Sequence, residues 1–204
     1  MIKAIETTYK GYRFRSRLEA RWAVFFDVLR IEWEYEKEGF VVGPNQDVSY
    51  LPDFFLPESN TWVEVKGAAH LFDWHQLACA VDWGAGLPDI EESVGTSAGL
   101  LLLGPIPNCG PEVPIHPILQ HHEGGWVGYA SFTKDGLRVM NNTNVHFDST
   151  WGRGNHEGNE WTAVVTCWFT DKANQNVRAW DIVRRAYSVA RSARFEHGET
   201  PRIV

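Results

Sequence analysis

Residues 50–67, YLPDFFLPESNTWVEVKG, place two strand-length apolar runs on either side of a short turn and set three charges inside them. Apolar runs of this length, bounded by turn residues, read as strands. Pro57, Ser59 and Asn60 supply the turn, so the two runs predict neighbouring strands of a hairpin. Asp53 stands at the head of the first run, and Glu64 and Lys66 flank Val65 at the end of the second. Alternate residues of a strand share a face, so Glu64 and Lys66 point one way while Val63 and Val65 point into the core. Charges in such segments are tolerated only where something compensates them.

The flanking segments complete a mixed α/β layer. RSRLEARWAVFFDVLRI predicts a helix over 16–29, with Leu18, Trp22, Phe25, Phe26 and Leu29 at spacings of three and four. Ser16 is a good N-cap, and Glu19 three residues later makes a capping box. EWEYEKEGFVV alternates Trp33 and Tyr35 with Glu32, Glu34 and Glu36, the pattern of a half-buried strand. HLFDWHQLACAVDW predicts a second helix, and GLLLLGPIP a short, fully buried strand. The order helix, three strands, helix, strand is that of an α/β fold with a mixed central sheet flanked by helices.

After Pro107 the pattern changes. NCGPEVPIHPILQHHEGG, rich in Pro, Gly and His, predicts loop, whereas WVGYASFT, LRVMNN and TAVVTCWFT predict strands of an insertion or a small second sheet. VRAWDIVRRAYSVARSARF closes the chain as a helix, with Trp180, Val183, Tyr187 and Ala190 on one side and Arg184, Arg191 and Arg194 on another. The expected organisation is a core over 1–107, a loop- and strand-rich insertion or subdomain over 108–176, and a basic helix over 177–204 that packs on the core.

The formal charge of −7 over 204 residues counts against a polyanionic partner, but its distribution reverses that argument. Residues 1–31 hold seven Lys or Arg against three acids, a net of +4, and residues 177–204 hold six Arg against three acids, a net of +3. The stretch between carries −7 − 4 − 3 = −14. An acidic body with basic ends can bind a polyanion where those ends meet. No stretch approaches the ~20 apolar residues of a membrane span, and MIKAIETTYKG lacks the apolar middle of a signal peptide, so a cytoplasmic location is expected and no membrane partner. Cys79, Cys109 and Cys167, odd in number and far apart, predict reduced thiols. Cys109, His116, His121 and His122 match no closed tetrahedral zinc pattern, so loop histidines are the expectation. Trp126, Tyr129, Phe132, Trp151, Trp161 and Trp168 read mostly as core rather than as a base-stacking platform.

Two carboxylates converging on one point bind a hard divalent cation such as Mg²⁺ through oxygen. Such a cation neutralises a phosphate and acidifies a water, and an adjacent lysine holds that water or the developing negative charge. The plainer alternatives are a hairpin with a surface ion pair and, for Glu19, a capping residue that needs no metal.

Pro52-Asp53 followed by Glu64-Val65-Lys66 and Gly67, with apolar flanks and this order of elements, resembles the PD-(D/E)xK nuclease superfamily of restriction-endonuclease-like fold. FRSRLEARWA, YLPDF and VEVKG look most like small phage or mobile-element members and transposase endonuclease subunits, and the resemblance covers residues 9–106. It implies a metal-dependent nuclease hydrolysing phosphodiester bonds, foremost in DNA, in the host cytosol if the protein is phage-encoded. Mg²⁺ or Mn²⁺ would lie between Asp53 and Glu64, with the Val65 carbonyl as a third ligand, Lys66 as the catalytic lysine and Glu19 joining from the first helix. Arg13, Arg15, Arg17 and Arg21 would then be phosphate contacts beside the site, and Arg184, Arg191 and Arg194 further ones. Gln76 matches a Gln of some exonuclease members, but their Tyr four residues later is Ala80 here, so Gln76 either touches a phosphate or is solvated. A homodimer is compatible with the resemblance. The alternative function is a catalytically silent member that binds nucleic acid or a partner protein.

Overall fold

The computed structural model describes residues 5–82, 84–88, 99–109, 114–120, 126–140 and 177–195. Helix α1 (Arg17–Leu29) begins as its sequence predicts, with the extended Ser16 side chain accepting the Glu19 N–H at 3.2 Å. It ends at Arg30, which takes a left-handed φ of 59°. The Arg30 N–H meets the Asp27 carbonyl at 3.1 Å and the Ile31 N–H meets Phe26 at 2.9 Å, the paired bonds of a Schellman end made without glycine.

Strands β1 (Thr7–Tyr9) and β2 (Tyr12–Phe14) form an antiparallel ribbon ahead of α1. The alternating segment after α1 is interrupted: β3 (Glu34–Tyr35) stops at Glu36, whose φ of 44° turns the chain, and β4 (Phe40–Val42) follows. SYLPDFFLP also divides, into β5 (Val48–Tyr50) and β6 (Phe54–Leu56). Pro52 lies between them and has no N–H to offer a ladder. β5 pairs with β4 in a separate two-stranded sheet, while β6 enters the central one. β7 (Thr61–Val65), α2 (Trp74–Ala80) and β8 (Gly99–Leu103) follow, then β9 (His116–Gln120), β10 (Trp126–Thr133), β11 (Gly136–Met140) and α3 (Val177–Ser192).

The central sheet has the order β11-β10-β9-β8-β7-β6-β3, a mixed α/β arrangement in which β7 and β8 are parallel and the other described pairs antiparallel. A parallel neighbour needs a crossover, and the segment containing α2 provides it. The strands of 116–140 therefore extend the central sheet rather than forming one of their own; TAVVTCWFT lies outside the described residues. β9 corrects the loop expected over NCGPEVPIHPILQHHEGG. Its prolines read as breakers, but Pro117 stands beyond the two residues, Ile118 and Leu119, that pair with β8.

Both faces of the sheet are covered, so β7 is buried throughout rather than half-solvated. Val63, Val65, Leu101 and Leu103 pack with Trp22, Phe25 and Phe26 of α1 and Val183, Ala186 and Tyr187 of α3. Trp62, Leu100 and Leu102 pack on the other face with Tyr50, Val42 and Leu77 of α2. Gly43, at φ +90°, lets the β4–β5 ribbon close on α2: a Cβ there would lie 2.8 Å from the Cys79 sulphur. No helix among the described residues is long and apolar enough to cross a membrane.

Candidate active site

β6 and β7 pair with Phe54 opposite Val63 and Phe55 opposite Trp62, so one further step sets Asp53 opposite Glu64. The Asp53 N–H donates to the Val63 carbonyl at 2.9 Å, carrying the pairing to that position. Asp53 and Glu64 thus meet on the face covered by β5 and α2, where they are 1% and 5% exposed. The hairpin predicted from the sequence brings the two carboxylates together.

Each carboxylate oxygen has a protein donor. One oxygen of Asp53 accepts from the Arg15 guanidinium, and the other accepts the Val65 N–H at 2.7 Å. Lys66 Nζ donates to one oxygen of Glu64, and the Tyr50 hydroxyl reaches the other at 2.9 Å. Glu19 accepts from the Ser16 hydroxyl at 2.7 Å, from the Tyr35 hydroxyl at 2.7 Å and from the Arg15 N–H at 3.1 Å. Arg15 also bonds Glu36 through Nε at 2.8 Å, so its half-exposed guanidinium bridges two acids at the rim. Burial pushes Asp53 up to about 7, helped by the charges of Glu64 and Glu19 and opposed by Lys66 and the Val65 N–H. Tyr50 is likewise held well above its ordinary value, by burial and then by Glu64 and Asp53.

The remaining predicted residues divide by position. Arg13 pairs with Glu6 on the surface, and Arg21 Nε meets the Ala193 carbonyl at 3.4 Å, tying α1 to the end of α3. Arg17 is half-buried. Gln76 donates to the Ser49 carbonyl at 2.9 Å and so fastens α2 to β5. Arg184 and Arg191 line a groove beside α3, whereas Arg194 is exposed past the helix end and Arg185 takes a place in that groove. His116, expected in a loop, is buried on β9 with its ring nitrogen 2.8 Å from the Tyr187 hydroxyl, and burial holds its pKa down to about 3. His121 and His122 lie outside the described residues.

Tyr35 and Tyr50 are the functional candidates that sequence reasoning missed. Both stand in strand patterns where an aromatic reads as core, and the Glu partner of each comes from another element.

The donor set suits a hard cation. Two nearly water-free carboxylates converge at one point, and two flexible cationic side chains already supply the positive charge that their proximity demands. Among the described residues no group of three or more acidic, histidine or cysteine side chains is placed to hold a metal ion, and Asp53 and Glu64 stand as a pair. Comparison with protein-family models, curated proteins and solved structures finds no match for this chain.

Proposed function

We propose that this protein is a divalent-metal-dependent nuclease of the PD-(D/E)xK type that hydrolyses phosphodiester bonds, in DNA foremost, at Asp53, Glu64 and Lys66. The observation that carries this reading is the burial of Asp53 opposite Glu64 on neighbouring strands, with Lys66 leading from that pair toward solvent. A structural ion pair does not require two facing buried carboxylates, one of which raises the proton affinity of the other; a cation-binding centre does. The surrounding elements agree with a restriction-endonuclease-like core: α1, the antiparallel β3–β6–β7, then α2 and the parallel β8.

Asp53 and Glu64 would hold Mg²⁺ or Mn²⁺, with the Val65 carbonyl as the family pattern implies. The ion would supply neutralisation of phosphate charge and acidification of a water. Lys66, with its side chain 31% exposed, orients a water or stabilises charge developing on the phosphoryl oxygens. Arg15 offers a guanidinium at the rim that leaves Asp53 for a phosphate, a planar donor matched to that anion. Tyr50 keeps Glu64 oriented from the buried side.

A second reading rests on the fact that every oxygen of Asp53, Glu64 and Glu19 already has a protein donor. Such a network is also what a catalytically silent protein of this fold would keep while binding nucleic acid or a partner. Incubation with supercoiled, linear and single-stranded DNA and with RNA, in Mg²⁺, Mn²⁺ or EDTA, separates the two. The nuclease gives metal-dependent cleavage that Asp53→Asn abolishes without unfolding the protein. Wild-type rates in Asp53→Asn remove the assignment, and nucleic-acid binding without cleavage in any metal favours the silent reading.

A further inference from the structure

Strand β8 carries the chain away from the acidic centre into a second feature. β7 and β8 run parallel, with Glu64 beside Leu102 and Val65 beside Leu103, and the Lys66 N–H bonds the Leu103 carbonyl at 3.0 Å. Residues leaving β8 therefore start at the same end of the sheet as Lys66. The Trp22 indole holds the first of them, donating to the Gly104 carbonyl at 2.9 Å. A few residues on, the segment around Cys109 meets α3 along a cavity of about 460 Å³.

The lining is cationic. Arg184, Arg185 and Arg191 contribute three positive charges against the single carboxylate of Asp181, a net of 3 − 1 = +2. Asp181 is held by Arg184 at 2.6 Å. Arg184, Ser188 and Arg191 follow one another at spacings of four and three, so they form one stripe along the helix. The opposite stripe, Val183, Ala186, Tyr187 and Ala190, is buried in the core and fixes the orientation of the helix. The arginines therefore sit on a rigid wall. They also converge: Arg191 and Arg184 are near enough to Cys109 to favour its thiolate, although burial dominates and pushes that thiol up to about 12.

A pocket of this size suits a small ligand by volume, but such pockets are lined mainly by apolar side chains. Guanidinium forks select phosphate instead. The seven helical steps from Arg184 to Arg191 rise about 10 Å, enough to reach neighbouring phosphates of one strand.

We propose that this groove is a second phosphate-binding site, which holds the sugar–phosphate backbone of the nucleic-acid substrate at the end of the sheet where Lys66 lies, on the face that α3 covers. The proposal rests on the nuclease reading for the identity of the polymer. It assigns the role to Arg184, Arg185 and Arg191, with Ser188 between them, and withdraws it from Arg194, which lies outside the groove.

Fluorescence anisotropy of a labelled 20-mer, duplex and single-stranded, measured in Ca²⁺ at several salt concentrations, tests it on wild type, Arg184→Gln/Arg191→Gln and an Arg194→Gln control. All three substitutions fall at exposed positions, and matching circular dichroism and melting temperatures verify that the variants fold. The double variant is expected to bind several-fold more weakly at every sequence, with a log–log salt slope flatter by about 1.4–1.8 for two lost contacts. Arg194→Gln should bind as wild type does. Unchanged affinity and slope in the double variant overturn the proposal. So does a site that inorganic pyrophosphate saturates without displacing the 20-mer, since that pattern means a free phosphate ligand. Plasmid cleavage by the wild type in Mg²⁺ tests the nuclease reading separately: cleavage with no binding defect in the double variant sinks only the groove, and a binding defect without cleavage sinks only the nuclease.

Discussion

The Arg15 guanidinium rests on the Asp53 carboxylate, whose other oxygen takes the Val65 N–H at 2.7 Å. Asp53 is 1% exposed and Arg15 half-exposed, so the charge of a buried acid is balanced from the rim by a side chain that can leave. An ion held by Asp53 and this guanidinium are alternatives for the same oxygen. Arg15→Gln should therefore destabilise the metal-free protein, by about 1–3 kcal/mol with the half-exposure of the arginine counted against the upper figure. It should also tighten Mn²⁺ binding in calorimetry, because a competitor is gone. Equal destabilisation with and without Mn²⁺, together with unchanged affinity, would show that the two do not compete.

Tyr50→Phe isolates the support beneath Glu64. The hydroxyl is fully buried, and its loss leaves one Glu64 oxygen without a donor, at a cost of about 1–3 kcal/mol in urea unfolding. Cleavage should slow while DNA affinity in Ca²⁺ stays constant, since Tyr50 faces the interior. A variant of wild-type stability would mean that the bond contributes nothing.

For Glu19 the capping and metal roles make different forecasts. Glu19→Gln retains one carbonyl oxygen for the Arg15 and Tyr35 donors, while its NH2 group takes the place of the oxygen facing Ser16 and can donate to that hydroxyl, so stability should fall by no more than about 1 kcal/mol. A place at the metal centre requires a large loss of cleavage or a changed Mg²⁺/Mn²⁺ preference despite that stability. Wild-type cleavage and metal preference in Glu19→Gln would confine Glu19 to the helix start.

His116 should make the fold acid-sensitive. Its imidazole is buried against Tyr187 and Trp22 and is held down to about 3, from an ordinary value of 6.5. Between those values the unfolded chain binds a proton that the folded chain refuses. The contribution is thus present above pH 6.5 and is lost as pH falls toward 3, at up to about 1.4 kcal/mol per pH unit. Urea midpoints across this range should fall more gently in His116→Gln than in the wild type. Parallel pH profiles would show that His116 does not titrate on unfolding.

The acidic pair was legible because it is local. Alternation, a short turn and the period of two suffice to place Asp53 and Glu64 across one hairpin, and Ser16 with Glu19 marks the helix start by the same short-range chemistry. Tyr50 was not legible, because its role depends on how a separate two-stranded ribbon folds over the central sheet. The position of Arg15 over Asp53 likewise needs α1 packed against β6 and β7, which no window of sequence contains. Pro114 and Pro117 hid β9, since the damage a proline does to a strand depends on which neighbour its missing N–H would have met. The arginine stripe on α3 was visible in sequence, but its wall was not: the groove exists only where residues leaving β8 come to lie beside it.

The separations along the chain also imply an order of assembly. The Asp53–Val65 bond closes a span of 12 positions, whereas the Arg21–Ala193 contact that fastens α3 closes one of 172. The longer closure costs about 2 kcal/mol more in chain entropy, and α3 leaves the ribosome after the hairpin does. The acidic hairpin can therefore form while α3 is still being synthesised. Docking of α3 then adds its face to the core and builds the arginine wall in one event, so the nascent chain pairs its two acids before it forms the cationic groove. Amide exchange should divide along the same line, with α3 opening as a unit before the hairpin does.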